Sequence, residues 1–130
     1  ATCAIAQKAA ERAMLAEPKS TTKDMKETFL RRRNMLIGLL KDIPGVRCNV
    51  PQGAFYVFPE ISSYFGKSEG NTTINNANDL CMYLLNNAHV ACVAGDAFGS
   101  PECMRISYAA SDAKLTEAMY RIRVFLAKLS

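Results

Sequence analysis

The stretch VACVAGDAFGSPECMRISYAAS, residues 90–111, carries the strongest evidence for the fold. It starts as an apolar strand and breaks in the glycine- and proline-containing run 95–101. It returns to a strand at 104–108, where apolar and polar side chains alternate. Ser111 is a preferred N-cap residue, and an apolar stripe at helical spacing follows it. Short strands followed by an amphipathic helix indicate an α+β domain.

Outward from this stretch, the pattern predicts two N-terminal helices, a β-hairpin, a polar loop, a third helix and a short strand. The predicted helices cover 2–15, 22–41 and 77–87; the hairpin joins 46–50 to 54–58; the loop covers 66–76; and the strand covers 89–93. In the third helix, Leu80, Cys81, Leu84 and Leu85 are predicted to point inward. The predicted fold class is α+β, a small mixed or antiparallel sheet of three to four strands covered by helices on one face.

Composition excludes several classes of protein. The 130 residues suffice for one domain, and 49% hydrophobic with 22% charged residues is typical of a globular protein. No apolar run approaches the roughly 20 residues of a membrane span, so no membrane contact is expected. The net charge of +4 is mild, and we interpret the run from Arg31 to Arg33 as a solvated helix face, with no nucleic-acid partner. The chain opens without methionine in a helical pattern, so we expect it to begin inside a larger protein.

The metal-ligating residues are too dispersed for a metal site. The five cysteines form no CxxC pair, and His89 is the only histidine. We therefore predict no bound metal and interpret the cysteines as free thiols. Free thiols are typical of a reducing compartment, so the expected location is cytoplasmic.

Arg105 is the candidate binding residue. Strand alternation puts Arg105 and Ser107 on the face opposite Met104, Ile106 and Tyr108. A guanidinium held in a strand can bind a carboxylate through two parallel hydrogen bonds. From spacing alone, the sequence supports two interpretations about equally: a ligand-binding arginine, or an edge-strand arginine that faces water or pairs with Glu102.

Three segments, in order, resemble the aspartate aminotransferase family of fold-type I enzymes, which depend on pyridoxal phosphate. AIAQKAA, residues 4–10, is similar to the family's S-I-A-Q-x-A-A helix. PQGAFYVF, residues 51–58, matches P-x-G-A-F-Y-x-F. Residues 90–109 resemble a V-x-V-x-P-G-x-x-F-G run followed by an R-[IL]-S-[YF]-A strand. One departure is Ala94, where the family usually has proline.

The resemblance implies that residues 1–130 are a single C-terminal small domain, without the large domain that binds pyridoxal phosphate. Arg105 falls on the family's arginine that grips the α-carboxylate of the amino-acid substrate. Phe55 falls on an aromatic position near the substrate, although we expect it to pack in the core of the hairpin. The family's cofactor lysine precedes this segment, so we expect no catalytic residue, no bound cofactor and no activity in the chain alone.

The implied activity of the parent enzyme is the transfer of an amino group between an amino acid, with aspartate preferred, and a 2-oxo acid. An aromatic aminotransferase, an alanine aminotransferase or a β-lyase shares the R-I-S strand and stays open as an alternative. A stand-alone module that binds small carboxylates is a further alternative. Family members are usually homodimers through the large domain, so we expect a dimeric parent and a monomeric fragment.

Overall fold

The computed structural model describes residues 2–15 and 20–130, and the predicted α+β class is confirmed within these ranges. The helices are α1 (Ala4–Leu15), α2 (Ser20–Lys41), α3 (Ala77–Tyr83) and α4 (Asp112–Leu126). The strands are β1 (Tyr56–Val57), β2 (Ser68–Glu69), β3 (Thr72–Thr73), β4 (Val93–Ala94) and β5 (Met104–Ser107). Short 3₁₀ turns cover Ser62–Tyr64 and Gly95–Phe98, and a π-helical turn, Leu84–Ala88, follows α3.

The main sheet is antiparallel and has the order β1-β5-β4. Tyr56 pairs with Ser107 on one side of β5, and Val93 pairs with Arg105 on the other. Because β5 is central, its backbone is held by both neighbours. Its alternate side chains therefore point to fixed faces of the sheet.

One face of this sheet packs on the core, and α2, α3 and α4 supply the helical side of it. Met104 and Ile106 of β5 are buried there. The buried apolar residues also include Leu36, Leu40, Val57, Ile61, Ile74, Leu80, Leu84, Leu115, Met119, Ile122 and Leu126. The helix N-caps agree with the pattern, since Ser111 accepts a hydrogen bond from the Lys114 amide at the start of α4. The opposite face of the sheet has no such helical cover among the described residues.

The predicted hairpin between 46–50 and 54–58 is wrong. Residues 46–50 contribute one isolated bridge, from Arg47 to Glu60, and β1 pairs with β5 instead. This pairing extends beyond the strand at both ends: the Phe55 carbonyl accepts from the Tyr108 amide at 2.8 Å, and the Ile61 amide donates to Glu102. In the observed pairing Val57 lies opposite Ile106 and is fully buried, and burial of this kind favours a long-range partner over the local turn signal.

Two predictions around α3 are also corrected. The helix does not stay regular to residue 87, because its last turn is π-helical and ends at His89 with a positive φ of 55°. Leu85, predicted to point inward, is exposed, because five residues of helix turn it about 140° away from the buried Leu80. The predicted strand 89–93 shrinks to β4, since His89 is used to end the helix and pairing begins only at Val93.

The predicted loop 66–76 contains a small hairpin. Strands β2 and β3 are joined by Gly70 and Asn71, and Gly70 takes a positive φ of 57°. Ser68 also exchanges two backbone hydrogen bonds with Ser130, at 3.0 and 3.2 Å. The polar composition concealed these pairings because the hairpin buries almost no apolar surface of its own.

Helix α1 differs from the rest of the described chain because every one of its side chains is exposed. Ile5 is 82% exposed and Met14 is 88% exposed. The alanine-rich sequence favours the helix, but none of its apolar side chains is buried.

Candidate functional site

The candidate site lies on the open face of the sheet and is centred on Arg105. The side chains of β5 alternate, with Met104 and Ile106 buried and with Arg105 and Ser107 on the other face. This confirms the orientation that strand alternation predicts. Arg105 is half-buried rather than extended into water.

Two aromatic rings hold the guanidinium of Arg105. Its Cζ lies over the ring of Phe98, 4.7 Å from the ring centroid, and over the ring of Tyr56 at 5.5 Å. Tyr56 comes from β1, and Phe98 from the 3₁₀ turn between β4 and β5. Phe98 in turn meets Phe58 edge to face, with centroids 5.9 Å apart. Contacts of this kind are attractive because the ring faces are electron-rich.

The loop that carries Phe98 is closed by its own backbone. The Gly95 amide donates to the Cys103 carbonyl at 2.8 Å, and the Ser100 amide donates back to Gly95 at 3.1 Å. Gly99 takes a positive φ of 76° at the end of the turn. These bonds fix where the Phe98 ring stands relative to β5.

No acidic side chain in the described ranges forms a salt bridge with Arg105. The alternative pairing with Glu102 is therefore wrong: Glu102 is exposed, and its carboxylate is 3.9 Å from the Cys103 Sγ. A half-buried cation without an internal anion can accept an external carboxylate, and the guanidinium edge matches that group geometrically.

Phe55 is not a core residue, so the prediction that it packs inside a hairpin is wrong. Its side chain is 53% exposed, and its ring meets Tyr56 edge to face at 5.8 Å. It lines a cleft of about 410 Å³ together with Lys26, Phe29 and Tyr108. The positive φ of 63° at Ala54 turns the chain just before it. Phe55 is therefore linked to Arg105 through Tyr56.

Sequence reasoning missed Tyr56 and Phe98 as parts of the site. Tyr56 lies directly opposite Ser107, which strand alternation assigns to the face of Arg105. The signal is present in the alternation of both strands, but using it requires the correct pairing of β1 with β5. The position of Phe98 is set by a loop, and a loop has no regular spacing of apolar residues from which the sequence could predict it.

The arginine run also has a role that composition does not reveal. Arg31 and Arg32 both donate to the carboxylate of Asp112, the first residue of α4, and Arg32 Nε does so at 3.0 Å. The hydrogen bond from Arg31, then that from Arg32, lowers the pKa of Asp112. Arg33 donates to the Pro51 carbonyl at 2.9 Å. The run therefore joins α2 to α4 and to residue 51, and the interpretation as a merely solvated face is wrong.

Further candidate chemistry is limited in the part of the chain that the structure describes. All five cysteines are free, and burial raises the pKa of Cys81 to about 11 and that of Cys92 to about 12. Within residues 2–15 and 20–130, no three potential metal ligands cluster. No helix in these ranges has the length and apolarity that a membrane span requires.

Two lysines line clefts on the surface of the domain. Lys26 lines the cleft with Phe55, and Lys114 lines another of about 730 Å³ beside His89. Neither cleft includes Arg105. The surroundings of Arg105 thus supply aromatic rings around a cation that suits a carboxylate.

Comparisons with known proteins agree with one another. The aspartate aminotransferase of Rhizobium meliloti (strain 1021) is 43% identical over 123 residues, which is 94% of this chain and 30% of that protein. A bifunctional aspartate aminotransferase and glutamate/aspartate-prephenate aminotransferase of Petunia hybrida is 48% identical over 100 residues, 76% of this chain and 21% of that protein.

Solved structures show the same relationship. The crystal structure of the aspartate aminotransferase from Rhizobium meliloti superposes with a TM-score of 0.86 at 42% identity, covering 94% of this chain and 31% of that one. An alanine aminotransferase from Pyrococcus furiosus gives 0.76 at 31% identity, covering 89% and 28%.

The chain spans less than a third of the length of these relatives. The family model described as aminotransferase class I and II matches residues 1–122. This chain belongs to the aminotransferase class I and II family.

Proposed function

We propose that residues 1–130 form the C-terminal small domain of a pyridoxal-phosphate-dependent aminotransferase, and that Arg105 binds the α-carboxylate of its substrate. The observation that carries this proposal is the guanidinium of Arg105, which is half-buried on the open sheet face and has no acidic partner among the described residues. The proposal is further supported by the sequence of the strand, since Arg105 falls on the arginine of the R-[IL]-S pattern of the aminotransferase family.

The proposed reaction of the whole enzyme moves an amino group from an amino acid, with aspartate as the expected donor, to a 2-oxo acid. Pyridoxal phosphate, when bound, supplies the electron sink for such chemistry. We propose that residues outside this chain hold it, because in the family that the chain resembles the cofactor lysine lies before this segment. We therefore assign to this chain substrate binding only.

The contribution of Arg105 is orientation. Two parallel N–H donors grip both carboxylate oxygens and thereby fix the rotation of the substrate about its Cα–C bond. In a closed site, loss of that grip leaves a buried carboxylate unpaired, which costs on the order of 3–5 kcal/mol. Phe55 is proposed to contact the remainder of the substrate from the neighbouring cleft that it lines with Lys26, and its ring is linked to Arg105 through Tyr56.

An amino-donor screen tests the reaction. The coding sequence upstream of this segment would be read and the complete protein purified with pyridoxal phosphate. Aspartate, alanine and phenylalanine would then be compared through the change in cofactor absorbance. We expect aspartate to convert the cofactor fastest. An upstream sequence without a large lysine-bearing domain would contradict the proposal and favour a stand-alone carboxylate-binding module.

A further inference from the structure

We propose that Phe98 is a positioning residue, which holds the Arg105 guanidinium in the orientation that receives the substrate carboxylate. This inference rests on the proposed role of Arg105. It adds a second residue, from a different segment of the chain, whose ring acts on the ligand only through the arginine.

The geometry of the guanidinium supports this role. All five of its N–H donors lie in its plane, while a ring stacked over Cζ covers a face. The ring of Phe98 stands 4.7 Å from Cζ and that of Tyr56 stands 5.5 Å away. These cation–π contacts hold the guanidinium through aromatic carbon and not through a hydrogen-bond acceptor, so the N–H donors of Arg105 stay available to a carboxylate.

Phe98 is itself held outside the core. Its side chain is 49% exposed in this chain, so burial against the residues of this domain does not account for its position. The closed loop between Gly95 and Cys103 fixes its backbone, and Phe58 supports the ring from one edge. An exposed phenylalanine with a fixed backbone and a cation over its face is better suited to orienting the cation than to stabilising the domain.

The consequence is pre-organisation. A free arginine side chain has many rotamers, and immobilising it when the ligand binds costs about 0.5–1.5 kcal/mol. Where the rings already hold the guanidinium, that loss is incurred on folding instead of on binding. Removing the Phe98 ring should therefore weaken carboxylate binding roughly two- to tenfold.

The experiment uses the complete holoenzyme and two unreactive carboxylates, maleate and 3-phenylpropionate, as competitive inhibitors. The variants are Phe98→Leu, Phe98→Tyr and Arg105→Ala. The matched control is Tyr120→Leu, because Tyr120 carries Arg123 over its ring at 5.8 Å on the surface of α4. For each variant the inhibition constants, kcat, KM and the thermal midpoint would be measured.

We expect Phe98→Leu to raise both inhibition constants two- to tenfold while the thermal midpoint stays within a few degrees of the parent. Phe98→Tyr should restore binding because its ring has the same face. Tyr120→Leu should leave the inhibition constants unchanged. Replacing Phe98 with pentafluorophenylalanine, which keeps the ring but reverses its charge distribution, should weaken binding as the leucine does.

Other outcomes separate the two proposals. Unchanged inhibition constants in Phe98→Leu, with a large loss in Arg105→Ala, would overturn the positioning role and leave the proposed function intact. Unchanged constants in Arg105→Ala would overturn both. Equal increases of the inhibition constants in Phe98→Leu and Phe98→Tyr would also reject positioning by the ring face. If Phe98→Leu fails to fold, unchanged inhibition constants in the pentafluorophenylalanine variant would reject it instead.

Discussion

Gly95 and Cys103 lie so close together that no side chain fits between them. The Gly95 amide donates to the Cys103 carbonyl at 2.8 Å, and a Cβ at Gly95 would stand 2.6 Å from that same oxygen. It would also stand 2.1 Å from the Ser100 carbonyl oxygen. These are backbone atoms, so they cannot move aside without opening the loop that presents Phe98.

Gly95→Ala should therefore destabilise the fold by about 1–3 kcal/mol, as overpacking of a tight contact does. The control is Gly38→Ala in α2, because a methyl group added at Gly38 would meet no atom within 4 Å. That change should instead stabilise the helix by about 0.5–1 kcal/mol. Urea unfolding of both variants checks the pair, and equal stability of Gly95→Ala and the parent would show that the loop yields easily.

Arg105→Lys should fail as a conservative substitution. Lysine keeps the charge but lacks the planar fork that meets both carboxylate oxygens. In the complete enzyme we expect kcat/KM to fall by roughly 10²- to 10³-fold, which corresponds to about 3–4 kcal/mol. Steady-state kinetics with the preferred donor measure this. A value of kcat/KM near that of the parent would remove Arg105 from the substrate site.

Asp112 should make the stability depend on pH. Hydrogen bonds from Arg31 and Arg32 lower its pKa in the folded protein. The stabilisation is therefore complete above the unfolded-state pKa of about 3.9 and is lost as the pH falls through the lower folded value. Asp112→Asn should be less stable at pH 7 and should lose less stability between pH 5 and pH 2.

The matched control for this pH effect is Asp42→Asn, at an exposed aspartate just beyond the end of α2. Urea midpoints measured at several pH values for the three proteins would check the prediction. Parallel curves for Asp112→Asn and the parent would mean that the contact between α2 and α4 does not depend on this carboxylate.

Tyr83→Phe should weaken the attachment of the β2–β3 hairpin. The buried Tyr83 hydroxyl lies 2.5 Å from the Glu69 carboxylate and 3.1 Å from the Phe125 carbonyl, so it connects the hairpin to α4. Burial, followed by the hydrogen bond to Glu69, raises the pKa of Tyr83. A hydrogen bond to a charged group contributes about 1.5–3 kcal/mol, and we expect a loss of this size.

Tyr120→Phe provides the comparison for Tyr83, since Tyr120 is 56% exposed on the surface of α4. Its hydroxyl can bond to water in either state, and its removal should change the free energy of unfolding by less than about 0.5 kcal/mol. Hydrogen exchange of the Ser68 amide, which donates to Ser130, would report the loosening directly in Tyr83→Phe. Unchanged exchange there would contradict the proposed connection.

The parts of the fold that the sequence predicts are those governed by local periodicity. The stripe in α4 and the alternation in β5 follow from side-chain spacing alone, so the faces of Leu115 and Arg105 are predicted correctly. The pairing partner of β1 is not predicted correctly, because Val57 pairs with Ile106, which lies 49 positions later in the sequence, and local spacing carries no information about so distant a partner. The same holds for Phe98, whose place over Arg105 depends on that pairing and on the closed loop.

The exposure of α1 has a thermodynamic consequence. In this chain on its own, α1 has no buried side chain and draws on little more than intrinsic propensity, and a helix of 12 residues is marginal in water on that basis. Its melting is then uncoupled from that of the core built by α2, α3 and α4. A single unfolding midpoint would therefore describe only the core built by α2, α3 and α4. The backbone amides of α1 would exchange with solvent through local opening of the helix, which has a much smaller free energy than unfolding of that core.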